Sequence, residues 1–171
     1  EARSNSISVP LTDKIRSFFL CSNWMKKEKN PGENARIYHA VQAASDFACA
    51  LGINIPTGKD SMSMTQKYKD DVVYAPGTVI ISASGEVSDV RKTVEPVLVN
   101  DDSKEILFID FSFTPRALGG SAFAQSINKI GKNVPSVASP EKFVTAFNAV
   151  QELIEKGLIV AGHDTGSGGL I

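Results

Sequence analysis

Ser139-Pro140-Glu141-Lys142-Phe143-Val144-Thr145-Ala146-Phe147-Asn148-Ala149-Val150-Gln151-Glu152-Leu153-Ile154-Glu155-Lys156-Gly157 runs straight into Leu158-Ile159-Val160-Ala161 and then Gly162-His163-Asp164-Thr165-Gly166-Ser167-Gly168-Gly169. Ser139 offers an N-cap oxygen, and Pro140 brings a preset φ to the first helical position. Phe143, Phe147, Val150, Leu153 and Ile154 fall on one stripe, and Gly157 is a C-terminal stop. The apolar run 158–161 reads as a strand, and the glycines after it as a strand–loop turn. A helix feeding a strand that ends in a Gly-rich loop is an α/β signature.

Working outward, Asn34 to Leu51 places Ile37, Val41, Ala44, Ala48 and Leu51 at helical spacing, between Pro31-Gly32-Glu33 and Gly52. A third helix is predicted from about Gly120 to Ile130, stopped by Gly131. Strands are predicted at Thr78–Ala83 and Glu105–Asp110, with Arg16–Cys21 a further candidate. The charged stretch Asp89 to Lys104 carries Pro96 and separates two differently organised halves. The expected fold is therefore α/β with mixed α+β character. Its expected domains are 1–100, the end of one α/β domain, and 101–171, the truncated first part of another.

The 171 residues carry 18 Lys+Arg against 19 Asp+Glu, a net charge of −1, and 42% are hydrophobic. That is enough apolar material for a core. The near-neutral balance speaks against a nucleic-acid binder, which would show a basic stripe, and against a polybasic membrane-surface protein. No apolar run approaches the ~20 residues that cross a bilayer, and the polar first 30 residues contain no secretory h-region. Cys21 and Cys49 read as reduced packing residues of a cytoplasmic protein, and two Cys with His39 and His163 lack zinc-ligand spacing. The chain opens at Glu1 without Met and closes at Ile171 just after the Gly-rich loop. It therefore reads as a piece of a longer polypeptide, and a homo-oligomer formed through an uncovered apolar face is expected.

Four places could carry chemistry. In Pro56-Thr57-Gly58-Lys59-Asp60-Ser61-Met62-Ser63-Met64, a glycine gives room for a ligand, Lys59 a charge for phosphate, and Asp60 and Ser61 a carboxylate and a hydroxyl. The Walker A frame is missing, and Gly-Lys-Asp-Ser is commonly a plain surface turn. The loop 162–169 holds four glycines within eight residues, an arrangement for binding phosphate on backbone N–H groups. Asp164 there could hold a cation, while His163 reads as structural; the bland alternative is a flexible connector. Glu1 and Asn5 stand at i and i+4, so on a helix their oxygens could share a hard cation such as Mg²⁺. For Leu118-Gly119-Gly120-Ser121-Ala122, tight packing is favoured over phosphate binding.

Ser22-Asn23-Trp24-Met25, Asn30-Pro31-Gly32-Glu33-Asn34-Ala35-Arg36, Gly52 to Met64, Leu118 to Ala122 and Gly162-His163-Asp164, in this order and at these separations, resemble the phosphoribosylformylglycinamidine synthase family in its large, single-chain form. These are ATP- and glutamine-dependent amidotransferases of purine biosynthesis. The resemblance implies a fragment of the second of two synthetase halves, each similar to aminoimidazole ribonucleotide synthetase. The first half and the glutaminase domain, its partners in the full enzyme, would be absent. The implied reaction activates the amide oxygen of formylglycinamide ribonucleotide with ATP, and ammonia from glutamine displaces the phosphate. The second half would hold an auxiliary ADP with Mg²⁺. The resemblance assigns Glu1, Asn5 and Asp164 to the metal, and Lys59, Asp60, Ser61 and Ser167 to the nucleotide.

Two departures stand out. Gly166-Ser167 replaces the family's Ser-Asp, so the nucleotide-contacting hydroxyl is lost or shifted by one residue. Lys26-Lys27-Glu28-Lys29 follows Met25 and reads as a solvated loop. Groups that act as a unit lose function together, so no turnover of formylglycinamide ribonucleotide, ATP and ammonia is expected of this chain alone. The alternatives are another ATP-using enzyme of the same fold, aminoimidazole ribonucleotide or selenophosphate synthetase, or a non-catalytic packing module.

Overall fold

The computed structural model describes residues 6–26 and 30–166. The chain forms two compact units, Ile15–Glu86 and, separately, the residues up to Lys14 with those from Val87 onward. The elements are mixed α+β.

In the first of these units, strand β1 (Phe18–Met25) leads to helix α1 (Glu33–Ala50) and strand β2 (Asn54–Ser61), and β2 lies parallel to β1. Strand β5 (Thr78–Gly85) pairs antiparallel on the other side, so β1 is the middle of a sheet ordered β2-β1-β5. Strands β3 (Thr65–Lys67) and β4 (Val72–Tyr74) form a separate antiparallel pair. Along β1 the side chains of Phe18, Leu20 and Ser22 are buried, the two-residue period of a strand with one covered face. Ile15, Ala48, Leu51 and Ile53 are further buried apolar side chains of this unit.

Helix α1 begins after Gly32, whose φ of +84° suits glycine. It ends in a Schellman turn: the Ile53 N–H donates to the Ala48 carbonyl at 2.9 Å and the Gly52 N–H to the Cys49 carbonyl at 3.0 Å. The expected stripe is covered only toward this end. Ala48 and Leu51 are buried, Ile37 and Ala44 half-buried, and Val41 exposed. Cys49 is exposed on α1 rather than packed, and Cys21 is half-buried; both are free thiols.

The other unit is organised by α3 (Pro140–Glu155), which starts as expected, with the Ser139 hydroxyl accepting from the Lys142 N–H at 3.2 Å. Phe147 is fully buried, beside Phe143, whose ring centroid is 6.3 Å away, and Val150 and Ile154 pack with Val94, Ile7, Phe111 and Ile159. Gln151 takes the inward position next to Val150, while Leu153, expected on the stripe, sits at its exposed edge. Gln151 is 1% exposed and bridges two distant backbone groups. Its Oε1 accepts from the Leu11 N–H and its Nε2 donates to the Ile7 carbonyl, both at 2.9 Å.

Three expectations are corrected here. Residues 105–110 and 158–161 form no strand, because a strand needs a laddered neighbour and none pairs with them among the described residues. Ile106 is instead 83% exposed. The third helix is only α2 (Ala122–Ser126); a left-handed Asn128 (φ +54°) turns the chain out before Ile130, and Gly131 follows at φ +73°.

Replacing Gln151 with Leu keeps the bulk and strips both backbone groups of their partner. Each orphaned group costs about 1–3 kcal/mol, so a loss of at least about 2 kcal/mol is expected in urea denaturation; unchanged stability contradicts the bridge. Asp89 gives a pH signature. Its carboxylate accepts from the Arg91 guanidinium at 2.9 Å and from the Arg91 N–H at 3.0 Å. The side-chain bond to Arg91 is the chief cause that lowers its pKa from 3.8 to about 2. A carboxyl held below its unfolded value contributes stability that is complete above pH 3.8 and is lost as pH falls toward about 2. Asp89→Asn is therefore expected to lower the melting temperature at neutral pH and to flatten its fall across that window. Parallel acid limbs for the two proteins would contradict this.

Candidate functional site

Within Ile15–Glu86, three of the quoted sequence stretches meet at one end of the parallel pair. The register sets Ser22 opposite Gly58, Asn23 opposite Lys59, Trp24 opposite Asp60 and Met25 opposite Ser61. Ser22-Asn23-Trp24-Met25 and Gly58-Lys59-Asp60-Ser61 are thus neighbours residue for residue. The strands approach closely: a Cβ on Gly58 would lie 2.5 Å from the Ser22 carbonyl oxygen and 3.1 Å from its hydroxyl. The Ser22 hydroxyl also accepts from Trp24 Nε1 at 3.1 Å. The Gly-Lys-Asp-Ser stretch is therefore a strand, not the surface turn that its composition suggests.

Alternation along β2 puts Lys59 and Ser61 on one face and Asp60 on the other. Lys59 is exposed, and its ammonium donates to the Asp60 carbonyl at 2.6 Å. Ser61 is half-buried, and its carbonyl accepts from the Lys26 N–H at 3.1 Å, which extends the ladder one residue beyond β1. Of the run 26–29 read as a solvated loop, 27–29 lie outside the described residues, and Lys26 itself is buried. Lys26 is 3% exposed, and its ammonium donates to Asn34 Oδ1 at 3.0 Å, in the first turn of α1. Composition hides this burial, because a Lys-Lys-Glu-Lys run looks like surface. The pairing of Met25 with Ser61 is the only signal that could have exposed it.

Asp164 belongs to the other unit and is half-buried. The chain reaches it through Gly162, whose N–H donates to the Glu95 carbonyl at 3.1 Å. The His163 ring folds back on its neighbour, with Nδ1 at 2.5 Å from the Asp164 carbonyl oxygen and 3.5 Å from Oδ1. Glu1, Asn5 and Ser167 lie outside the described residues. Among the described residues no three His, Cys, Asp or Glu side chains gather as a metal-binding group. In Leu118–Ala122 the glycine pair packs: the Gly119 N–H donates to the Asn133 carbonyl at 2.7 Å, and a Cβ on Gly119 would collide with that same oxygen.

The same unit as Asp164 has an open depression of about 340 Å³ with Arg91, Lys92 and Lys156 on its wall. Two of these cations have structural employment. Arg91 clamps Asp89, and the Lys92 ammonium donates to the Glu155 carbonyl at 3.2 Å, at the end of α3.

The likeness to known proteins agrees with the motif order. The family model described as the FGAR-AT PurM_N-like domain matches residues 1–86. Human phosphoribosylformylglycinamidine synthase is 36% identical over 172 residues, covering 100% of this chain, and the chain spans 13% of that protein's length. With the mixed α+β unit and its paired motifs, these matches place the chain in the phosphoribosylformylglycinamidine synthase family, through an FGAR-AT PurM_N-like domain in its first half.

Proposed function

We propose that this chain is part of an ATP-dependent carbon–nitrogen ligase that converts formylglycinamide ribonucleotide, ATP and glutamine to formylglycinamidine ribonucleotide, ADP, phosphate and glutamate. Its own share of that enzyme is part of an auxiliary Mg·ADP site. The domain division at about residue 100 belongs to the same proposal. The carrying observation is the residue-for-residue ladder between Ser22–Met25 and Gly58–Ser61. It gives two motifs that are far apart in sequence a common position at the carboxyl ends of parallel strands, where α/β units bind ligands.

The side chains fit the chemistry. Lys59 is an exposed point charge that spends one N–H on a backbone carbonyl, which leaves donors for phosphate oxygens. Ser61 adds a hydroxyl donor on the same face. Asp60, on the opposite face, and Ser167 complete the nucleotide residues assigned here. Asp164 supplies a hard carboxylate oxygen of the kind Mg²⁺ takes, and Glu1 and Asn5 would add two more oxygens. Bound Mg²⁺ would neutralise phosphate charge; the chain's residues orient the diphosphate.

Calorimetric titration of the chain with ADP is expected to show weak binding that requires Mg²⁺. Lys59→Ala or Asp164→Ala should weaken it at least about tenfold, since each removes a charge-assisted contact. Identical titrations for the parent and both variants would refute the assignment of these residues.

A further inference from the structure

We propose that Trp24, Gly58 and Asp60 form the nucleoside end of the ligand site, where the indole stacks on a base and the Asp60 carboxylate takes the hydroxyls of its ribose. The inference rests on the reading above that a nucleotide binds at this strand end, and it gives Trp24 and Asp60 their separate parts in that binding. The register sets Asp60 opposite Trp24 and Gly58 opposite Ser22, and on the other side of β1 it sets Val79 opposite Trp24. Residues opposite each other in a ladder share a face. Asp60, Trp24 and Val79 therefore form one row across three strands, on the face away from Lys59 and Ser61. Asp60 and Val79 are exposed, and Trp24 is half-buried at the rim of the face along which Phe18, Leu20 and Ser22 are buried.

The indole has a fixed orientation. Trp24 Nε1 donates to the Ser22 hydroxyl at 3.1 Å, which draws the ring back along β1 toward Ser22. A ring already tethered loses little freedom on binding. Beside Ser22 stands Gly58, exposed and without a side chain. A Cβ there would lie 3.1 Å from the hydroxyl that holds the indole. Glycine at this position thus keeps a notch open next to the ring, and any side chain would fill it. The notch has an aromatic wall and, two residues further along β2, a carboxylate. A planar base stacks on an indole, and a carboxylate accepts from ribose hydroxyls. A ribonucleoside offers both groups. Charge divides the two faces in the same sense. A carboxylate repels phosphate, so the face with Asp60 suits the uncharged part of a nucleotide, as the face with Lys59 suits its phosphates. Neighbouring residues of a strand are about 3.3 Å apart along it, so a nucleotide laid across the strand end reaches both faces.

The test follows the fluorescence of Trp24, the sole tryptophan, while adenosine is added without phosphate or Mg²⁺. The parent's emission is expected to change along a saturating curve. Asp60→Asn, a near-isosteric change at an exposed position, should raise the half-saturating concentration at least about fivefold, because a charge-assisted bond is lost. 2′-Deoxyadenosine lacks one of the two ribose hydroxyls. It should bind the parent more weakly by a similar factor and make little difference to Asp60→Asn, a coupling that a merely structural Asp60 would not produce. No change in emission, or a linear loss that is equal in Asp60→Asn, overturns the proposal. So does equal binding of the two nucleosides by the parent. Heat from ADP·Mg²⁺ that depends on Lys59 and Asp164, with Trp24 emission unmoved and Asp60→Asn binding as well as the parent, overturns the nucleoside assignment and leaves the nucleotide reading standing. Saturable, Asp60-dependent binding of adenosine, with ADP·Mg²⁺ titrations that are the same in the parent, Lys59→Ala and Asp164→Ala, supports the notch and removes the diphosphate assignment instead.

Discussion

A carbonyl group with no room beside it sets the arrangement of the β1–α1–β2 unit. The Ser22 carbonyl oxygen lies so near Gly58 that any side chain there would collide, with a Cβ only 2.5 Å away. A parallel pair that slipped by one residue would bring Thr57 or Lys59 to that place. The close approach therefore fixes the register, and the register decides which side chains share a face: Lys59 with Ser61, and Asp60 opposite. It also carries the ladder on to the bond between the Lys26 N–H and the Ser61 carbonyl, and so seats the Lys26 ammonium against α1. A single steric constraint in the middle of the strands thus governs which side chains share a face at their end.

Much of this was legible in the sequence where local chemistry decides structure. Ser139, Pro140 and Gly157 mark the ends of α3 by capping alone, and Gly52 ends α1 in the same way. Thr78–Ala83 became β5 because a β-branched run there also found a neighbour, β1. The equally apolar Glu105–Asp110 and Leu158–Ala161 found none among the described residues, since a run of apolar side chains describes a strand's faces and says nothing of its hydrogen-bond partner. Gly58 to Ser61 shows the converse. Its residue types favour a turn, and only pairing with β1 makes it a strand.

Polar burial was the least legible feature. Gln151 lies beside the apolar stripe of α3 and reads as surface, yet it replaces a backbone ladder by joining Leu11 and Ile7. Lys26 stands at the head of a charged run and is nevertheless enclosed. In both cases the deciding partners lie elsewhere in the chain, where periodicity gives no hint of them. The family motifs, by contrast, could be read as a set, and their pairing across β1 and β2 gives that set a physical reason: two of them are opposite sides of one ladder.

The most direct test of this account is Gly58→Ala, followed in urea through the fluorescence of Trp24, the sole tryptophan, whose indole donates to Ser22. Overpacking of a fixed backbone costs about 1–3 kcal/mol, so the midpoint should fall and the folded-state emission of Trp24 should shift as Ser22 is displaced. A variant with the parent's midpoint and spectrum would show that β1 and β2 do not meet at Ser22 and Gly58, and would contradict the register on which the site depends.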